Sequence, residues 1–251
     1  MRNLFLATFA VVALAAGSAA ADGMKGSPVR AGCAQFGGFY LGANAGWAYH
    51  DATWVDRNAW VDNFGTDWAL GSVSSTRDGL VGGLQGGYNW QRGCTVIGFE
   101  VDANWAGLDS SKVYSPVDGG TGTVLTLDHD VRWYGTLRTR SGLIVDNLLL
   151  YVTGGLAYAN IKNDFTVNDP TGTPTSESFS SKNSRWGWVG GVGAEWAWSD
   201  RVSIKSEVLY IRFSEIDTAG FSPNGPGNVV FDHQDSMWVS RFGINFKFGT
   251  H

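Results

Sequence analysis

The amino-acid sequence predicts an all-β protein: an eight-stranded antiparallel up-and-down transmembrane β-barrel. Three observations carry that expectation. Short segments alternate apolar and polar residues with period two, the mark of a strand with two unlike faces. Nine of the 12 tryptophans (Trp47, Trp90, Trp105, Trp133, Trp186, Trp188, Trp196, Trp198 and Trp238) fall near the ends of those segments, on the more apolar parity. Indole bodies prefer the hydrocarbon edge of a bilayer while their N–H stays near water, so indoles at two heights suit a barrel in lipid; a soluble barrel keeps its apolar side chains inside. Finally, connections alternate between long and short, as a meander with both termini on one side requires.

The first 21 residues read as a signal peptide, with Arg2 as the charged region, an apolar run over 4–16 and Ala19-Ala20-Ala21 as a small-residue cleavage site. The run is short for a spanning helix and no basic stop-transfer flank follows. Residues 22–35 are expected as a periplasmic N-terminal segment, 36–248 as the outer-membrane barrel and 249–251 as a C-terminal tail. The most apolar later window, 143–161, is interrupted by Asp146, Asn147 and Gly154-Gly155, so no spanning helix is expected there.

Strand one, about 36–49, sets Phe39, Leu41, Trp47 and Tyr49 against Tyr40, Gly42 and Asn44. Strand two, about 79–91, sends Leu80, Leu84, Tyr88 and Trp90 one way and Gln85, Asn89 and Gln91 the other. Strand three, about 95–106, splits Ile97, Phe99, Val101 and Trp105 from Glu100, Asp102 and Asn104, a polar face that lipid would not tolerate. Strand four, about 130–145, separates Val131, Trp133, Leu137 and Leu143 from Arg132, Tyr134, Thr136, Arg138 and Arg140, and Asp146-Asn147 makes a tight turn. Leu148, Leu150, Val152, Leu156 and Tyr158 continue as strand five, with Tyr151, Thr153 and Ala157 inward. Strand six, about 185–197, carries Trp186, Trp188, Val192 and Trp196 outward and Glu195 inward. Strand seven, about 202–213, puts Lys205 and Glu207 in, and the last, about 236–248, puts Arg241, Asn245 and Lys247 in. The long connections, including 164–184 and 214–235, are rich in Asp, Ser, Thr, Gly and Pro and are expected as solvated outer loops.

Composition narrows function. The formal charge of −5, one unit more negative after loss of Arg2, supplies no basic footprint for nucleic acid, so no nucleic-acid partner is expected. The 35 glycines include five in-strand pairs (37–38, 82–83, 86–87, 154–155, 190–191). None lies between a strand and a helix pattern with a following Lys-Ser/Thr, so they read as relief of crowding in a narrow barrel rather than as a phosphate cradle. Cys33 and Cys94 fall at the same, periplasmic end. They form a disulfide if their Cα atoms approach within about 7 Å; a pair of unpaired thiols is the alternative. The four histidines lack a paired-ligand spacing, so no metal and no cofactor are expected.

The segments Gly-Gly-Phe-Tyr-Leu-Gly-Ala-Asn-Ala-Gly-Trp (37–47), Gly-Gly-Tyr-Asn-Trp-Gln (86–91), Ile-Gly-Phe-Glu-Val-Asp (97–102), Leu-Leu-Tyr-Val-Thr-Gly-Gly-Leu-Ala-Tyr (149–158) and Lys-Ser-Glu-Val-Leu-Tyr (205–210) resemble the small Gram-negative porin family. That group belongs to the OmpA-like eight-stranded barrels and includes outer-membrane immunogenic proteins. The resemblance covers nearly all of the mature chain. It implies a place in the outer membrane, contact with outer-membrane lipid and lipopolysaccharide, and insertion by the barrel-assembly machinery, which reads a terminal strand ending in an aromatic residue. Phe246 and Phe248 stand in that place, although Gly249, Thr250 and His251 follow.

Eight strands enclose an interior just wide enough for side chains. Here the inward charges are expected to be Glu100, Asp102, Arg132, Arg138, Arg140, Glu195, Lys205, Glu207 and Arg241, and at that density they should pair, because an unpaired buried charge is costly. The sequence thus points to a structural surface barrel that contributes to envelope integrity, with a lumen plugged by ion pairs. The alternatives are a narrow porin for small solutes, or adhesion and ligand binding by loops that carry Trp54, Trp60 and Trp68. The pairs Asp128-His129-Asp130 and Asp232-His233-Gln234-Asp235-Ser236 at the outer mouth are the only catalytic candidates. They lack the His-x-Ser signature of barrel lipid A deacylases, and no enzyme is expected.

Overall fold

The computed structural model describes residues 33–56, 72–114, 124–169, 175–214, 216–222 and 227–248, with only the backbone described at the far ends of the longer strands. The expected signal peptide, Trp60, Trp68 and the tail 249–251 lie outside the described residues, as does the side chain of Trp54.

The described residues form nine strands: β1 (Gly38–Asp56), β2 (Ser72–Arg92), β3 (Thr95–Tyr114), β4 (Val124–Val145), β5 (Leu148–Asp169), β6 (Thr175–Ala197), β7 (Val202–Phe213), β8 (Ile216–Ser222) and β9 (Gly227–Phe248). Each pairs antiparallel with its chain neighbour, except that β9 pairs with both β7 and β8, and β9 returns to β1 to close the barrel. Because β7 holds the lower part of β9 and β8 its upper part, the two make one interrupted stave and the barrel has eight.

Period-two alternation sorts the side chains as lipid demands. Leu41, Phe99, Val152 and Ile244 are exposed on the outside, whereas Glu100 and Arg138 are each 1% exposed inside. Aromatic contacts gird the outer wall: Trp133, Tyr158 and Trp186 form one run and Trp188, Tyr210 and Trp238 another, with centroids 4.8–5.5 Å apart. Near the opposite rim Trp196 meets Trp198 at 5.4 Å. Such edge and tilted contacts suit an interfacial belt.

The short turns join β2 to β3, β4 to β5 and β6 to β7. Two of them need a positive φ at the first central residue, which Gly93 (φ 59°) and Asp146 (φ 55°) supply. The opposite ends depart from expectation. β5 and β6 stay paired out to Asp169 and Thr175, so most of the stretch 164–184 is hairpin rather than loop, and β8 with β9 occupies much of 214–235. The reading from sequence followed apolar parity, which stops where the hydrocarbon stops. Backbone pairing needs no lipid and continues into water through Ser- and Thr-rich strands.

Candidate functional site

The candidate site is the lumen, and inward parity stacks it in four layers. At the end with the short turns, Phe36, Val96, Ile144, Leu149 and Tyr151 form an apolar floor against Cys33, Ala34 and Ala197. A belt of charge lies above. Next comes a second apolar layer that includes Tyr134, Val189, Leu209, Ile211, Met237 and Val239. His50, Arg185 and Asp235 cap it. The interior is thus not charged throughout: a strand's inward parity carries whatever packs, and Leu209 and Ile211 share the parity of Lys205 and Glu207 on β7.

The belt holds four carboxylates and four cations, each at most 3% exposed. Glu100 on β3 accepts from Arg138 of β4, from Lys205 Nζ of β7 at 2.8 Å and from the Tyr40 hydroxyl at 2.7 Å. Asp102 accepts from Arg138 at 2.9 Å, Arg241 at 3.0 Å and the Thr136 hydroxyl at 2.7 Å. Glu207 lies 2.9 Å from Arg241, 3.2 Å from Lys205 and 3.3 Å from Arg138, and accepts from the Tyr151 hydroxyl at 2.7 Å. Glu195 takes Arg140 at 2.8 Å, Asn245 at 3.0 Å and the Ser203 hydroxyl. The Arg140 guanidinium also lies over the rings of Tyr40 and Tyr151, at 4.7 and 5.3 Å. Formal charges in the belt cancel, and each carboxylate has at least three donors, the condition under which buried ions are tolerated.

Of the nine expected lumen charges the structure brings eight together. Arg132 stands apart: it lies in the β-bulge between Val131 and Trp133, where the register shifts, and it is exposed. A bulge interrupts the alternation on which its assignment rested. Parity followed further up the strands would have found the capping layer, because Arg185 shares the parity of Glu195, Asp235 that of Arg241, and His50 that of Tyr40. Arg185 donates to Asp235, and His50 Nε2 lies 3.6 Å from the same carboxylate. The side chains of Asp128, His129, Asp130, Asp232 and His233 lie outside the described residues.

At the floor, Cys33 and Cys94 are disulfide-bonded with Cα atoms 5.4 Å apart. This ties residues 33–37 beneath the barrel. The Gln91 side chain accepts from the Phe36 and Gly37 amides at 2.7 and 3.1 Å and donates to the Ala34 carbonyl at 3.0 Å, while Lys247 donates to the Gln35 carbonyl at 2.7 Å. Phe36 is inserted as a stopper, 1% exposed, with Lys247 Nζ 4.9 Å from its ring. Phe246 and Phe248 face outward at the end of β9, with centroids 5.1 Å apart. Among the described residues no group of three His, Cys, Asp or Glu side chains is placed to hold a metal ion.

Comparison with known proteins agrees with this geometry. The family model for the outer membrane protein beta-barrel domain matches residues 7–248. The 31 kDa outer-membrane immunogenic protein of Brucella melitensis is 31% identical over 259 residues, covering 99% of this chain and 100% of that one. The 22 kDa outer membrane protein of Rhizobium leguminosarum bv. viciae is 28% identical over 71% of this chain and 72% of its own. Among solved structures, OprG from Pseudomonas aeruginosa aligns over 86% of this chain and 99% of its own, with a TM-score of 0.48 and 15% identity. With its apolar wall, aromatic belts and enclosed charges, the chain belongs to the outer membrane β-barrel family, and its place is the Gram-negative outer membrane.

Proposed function

We propose that this chain is a structural barrel of the outer-membrane surface that contributes to envelope integrity and carries no solute stream through its centre. The observation that supports this reading is closure at more than one level. An ion entering from outside meets the apolar layer of Leu209, Ile211, Met237 and Val239, then a charge-neutral belt in which each carboxylate has at least three donors, then the Phe36 side chain. Passage would strip the ion of water and break buried pairs, each of which is strongly unfavourable. On this reading the partners are membrane lipid and lipopolysaccharide around the belt, and the barrel-assembly machinery that reads the strand ending in Phe246 and Phe248.

Planar-bilayer recording on the refolded full chain tests it. The expected trace shows no discrete steps above leak. Large, stable, weakly selective steps, or swelling of loaded liposomes in small sugars, would refute the proposal in favour of a porin.

A further inference from the structure

The two ends of the Cys33–Cys94 disulfide differ in access. Cys94 stands in the short turn between β2 and β3 and is exposed. Space is open beside it, since a Cβ added at neighbouring Gly93 would meet nothing within 4 Å beyond its chain neighbours. Cys33 is half-buried against the apolar floor, and its Sγ lies 3.8 Å from the Ile144 carbonyl oxygen. This end of the barrel carries the short turns, which outer-membrane barrels present to the periplasm, a compartment in which disulfides form.

The strap that carries Cys33 is held by contacts that do not involve the bond. Gln91 accepts from the Phe36 and Gly37 amides and donates to the Ala34 carbonyl, and the Ala34 amide donates to the Asp146 carbonyl at 3.0 Å. Across from it the Ile144 amide donates to the Cys94 carbonyl at 2.7 Å. Hydrogen bonds thus fix both cysteines on one rim, at a Cα separation of 5.4 Å that a disulfide spans. Two thiols so held meet each other at a high effective concentration. An outside disulfide, by contrast, must be reached by an accessible thiolate. Local charge favours neither sulfur, because exposed Arg92 and exposed Asp146 both adjoin this rim, so access decides between them.

We propose that this disulfide is made on the assembled barrel by thiol–disulfide exchange, with Cys94 as the thiol that meets the oxidant and Cys33 as the thiol that resolves the adduct. Cys94 loses its proton to solvent and its thiolate attacks one sulfur of a disulfide oxidant; the oxidant's S–S bond breaks, a mixed disulfide forms on Cys94 and one oxidant thiolate leaves. Cys33 then loses its proton and attacks Cys94 Sγ, so that the Cys33–Cys94 bond forms and the second oxidant thiolate leaves. Two protein thiols are oxidised, and the oxidant is reduced to two thiols once its thiolates take up the two protons.

The test uses the refolded full chain, reduced with a phosphine and freed of reductant, with glutathione disulfide as the oxidant and mass spectrometry of intact protein and peptides as the readout. Heat-modifiable gel migration first verifies that each reduced barrel is assembled. Cys33→Ser is expected to take up glutathione at Cys94 at least about tenfold faster than Cys94→Ser takes it up at Cys33, because exchange follows access. In the reduced wild type, a brief maleimide pulse is expected to label Cys94 ahead of Cys33, and the glutathione adduct is expected to give way to the internal disulfide. Gln91→Ala frees the strap and is expected to lengthen the life of the adduct on Cys94 without slowing its formation. A reduced wild type that does not assemble, reaction at Cys33 as fast as at Cys94, a wild type that ends with glutathione on both cysteines, or an adduct lifetime unchanged in Gln91→Ala would each overturn the proposal. None of these outcomes depends on whether the lumen conducts.

Discussion

At the scale of single residues, Arg138 is the hub of the enclosed charges. Its guanidinium reaches Glu100, Asp102 and Glu207 at once, and its Nε donates to the Thr136 hydroxyl at 3.0 Å. A buried ion pair contributes little net stability against an apolar replacement of the whole cluster, but removing one member leaves charges stranded. Arg138→Met is therefore expected to destabilise the barrel by about 3–5 kcal/mol. Arg132→Gln, at an exposed position in a bulge, is expected to cost no more than about 1 kcal/mol. Urea unfolding of the refolded proteins in detergent or lipid, followed by tryptophan fluorescence, checks the contrast. Equal costs at both positions would mean that the lumen relaxes or hydrates around the missing cation.

Within the strands, glycine has two different jobs. Gly87 on β2 faces the lumen, and a Cβ there would fall on the Phe99 carbonyl and on the Tyr40 hydroxyl that donates to Glu100. Neither neighbour is free to yield, since one is strand backbone and the other is hydrogen-bonded within the belt. Gly82 on the same strand faces lipid, and the nearest atom to its Cβ is the Asn44 carbonyl oxygen at 3.5 Å, an ordinary contact. Gly87→Ala is expected to lose about 1–3 kcal/mol through overpacking. Gly82→Ala is expected to stay within about 0.5 kcal/mol of wild type, with any change favourable because alanine orders a strand at less entropic cost. Comparing the temperatures at which heat-modifiable migration is lost separates the two. If both variants melt with wild type, the narrow-barrel account of the paired glycines fails.

The molecule as a whole is fastened at its base by a long-range tie. The Cys33–Cys94 disulfide spans 61 residues and fastens the Phe36 stopper to the β2–β3 turn, below a floor whose other members come from β3, β4 and β5. Chain-entropy arithmetic puts the stabilisation from such a loop at no more than about 4 kcal/mol, and less if the unfolded chain is restricted at the membrane surface. Cys33→Ser/Cys94→Ser is expected to lower the unfolding midpoint within that limit and to leave the barrel assembled, because the charged belt and the β1–β9 closure are independent of it. Loss of folding altogether would show instead that the tie is needed for assembly. Apolar layers lie on both sides of the belt, so on the proposed reading neutralising part of the belt would not by itself open a path.

Strand order, the direction of each face, the lipid-side indoles and eight of the enclosed charges were legible in the sequence. The reason is that alternation is local and hydrocarbon penalises every error of sidedness. Partner choice was not legible. Lys205 is opposite Glu195 in register, yet its ammonium crosses to Glu100 and meets Glu207 two residues along its own strand, while Glu195 is taken by Arg140. Likewise His50, Arg185 and Asp235 come from β1, β6 and β9 and meet only after closure. Parity states which side of a strand a residue occupies, whereas the height and distance at which it meets others across the lumen depend on the stagger of all eight staves, and that stagger exists only in the closed barrel.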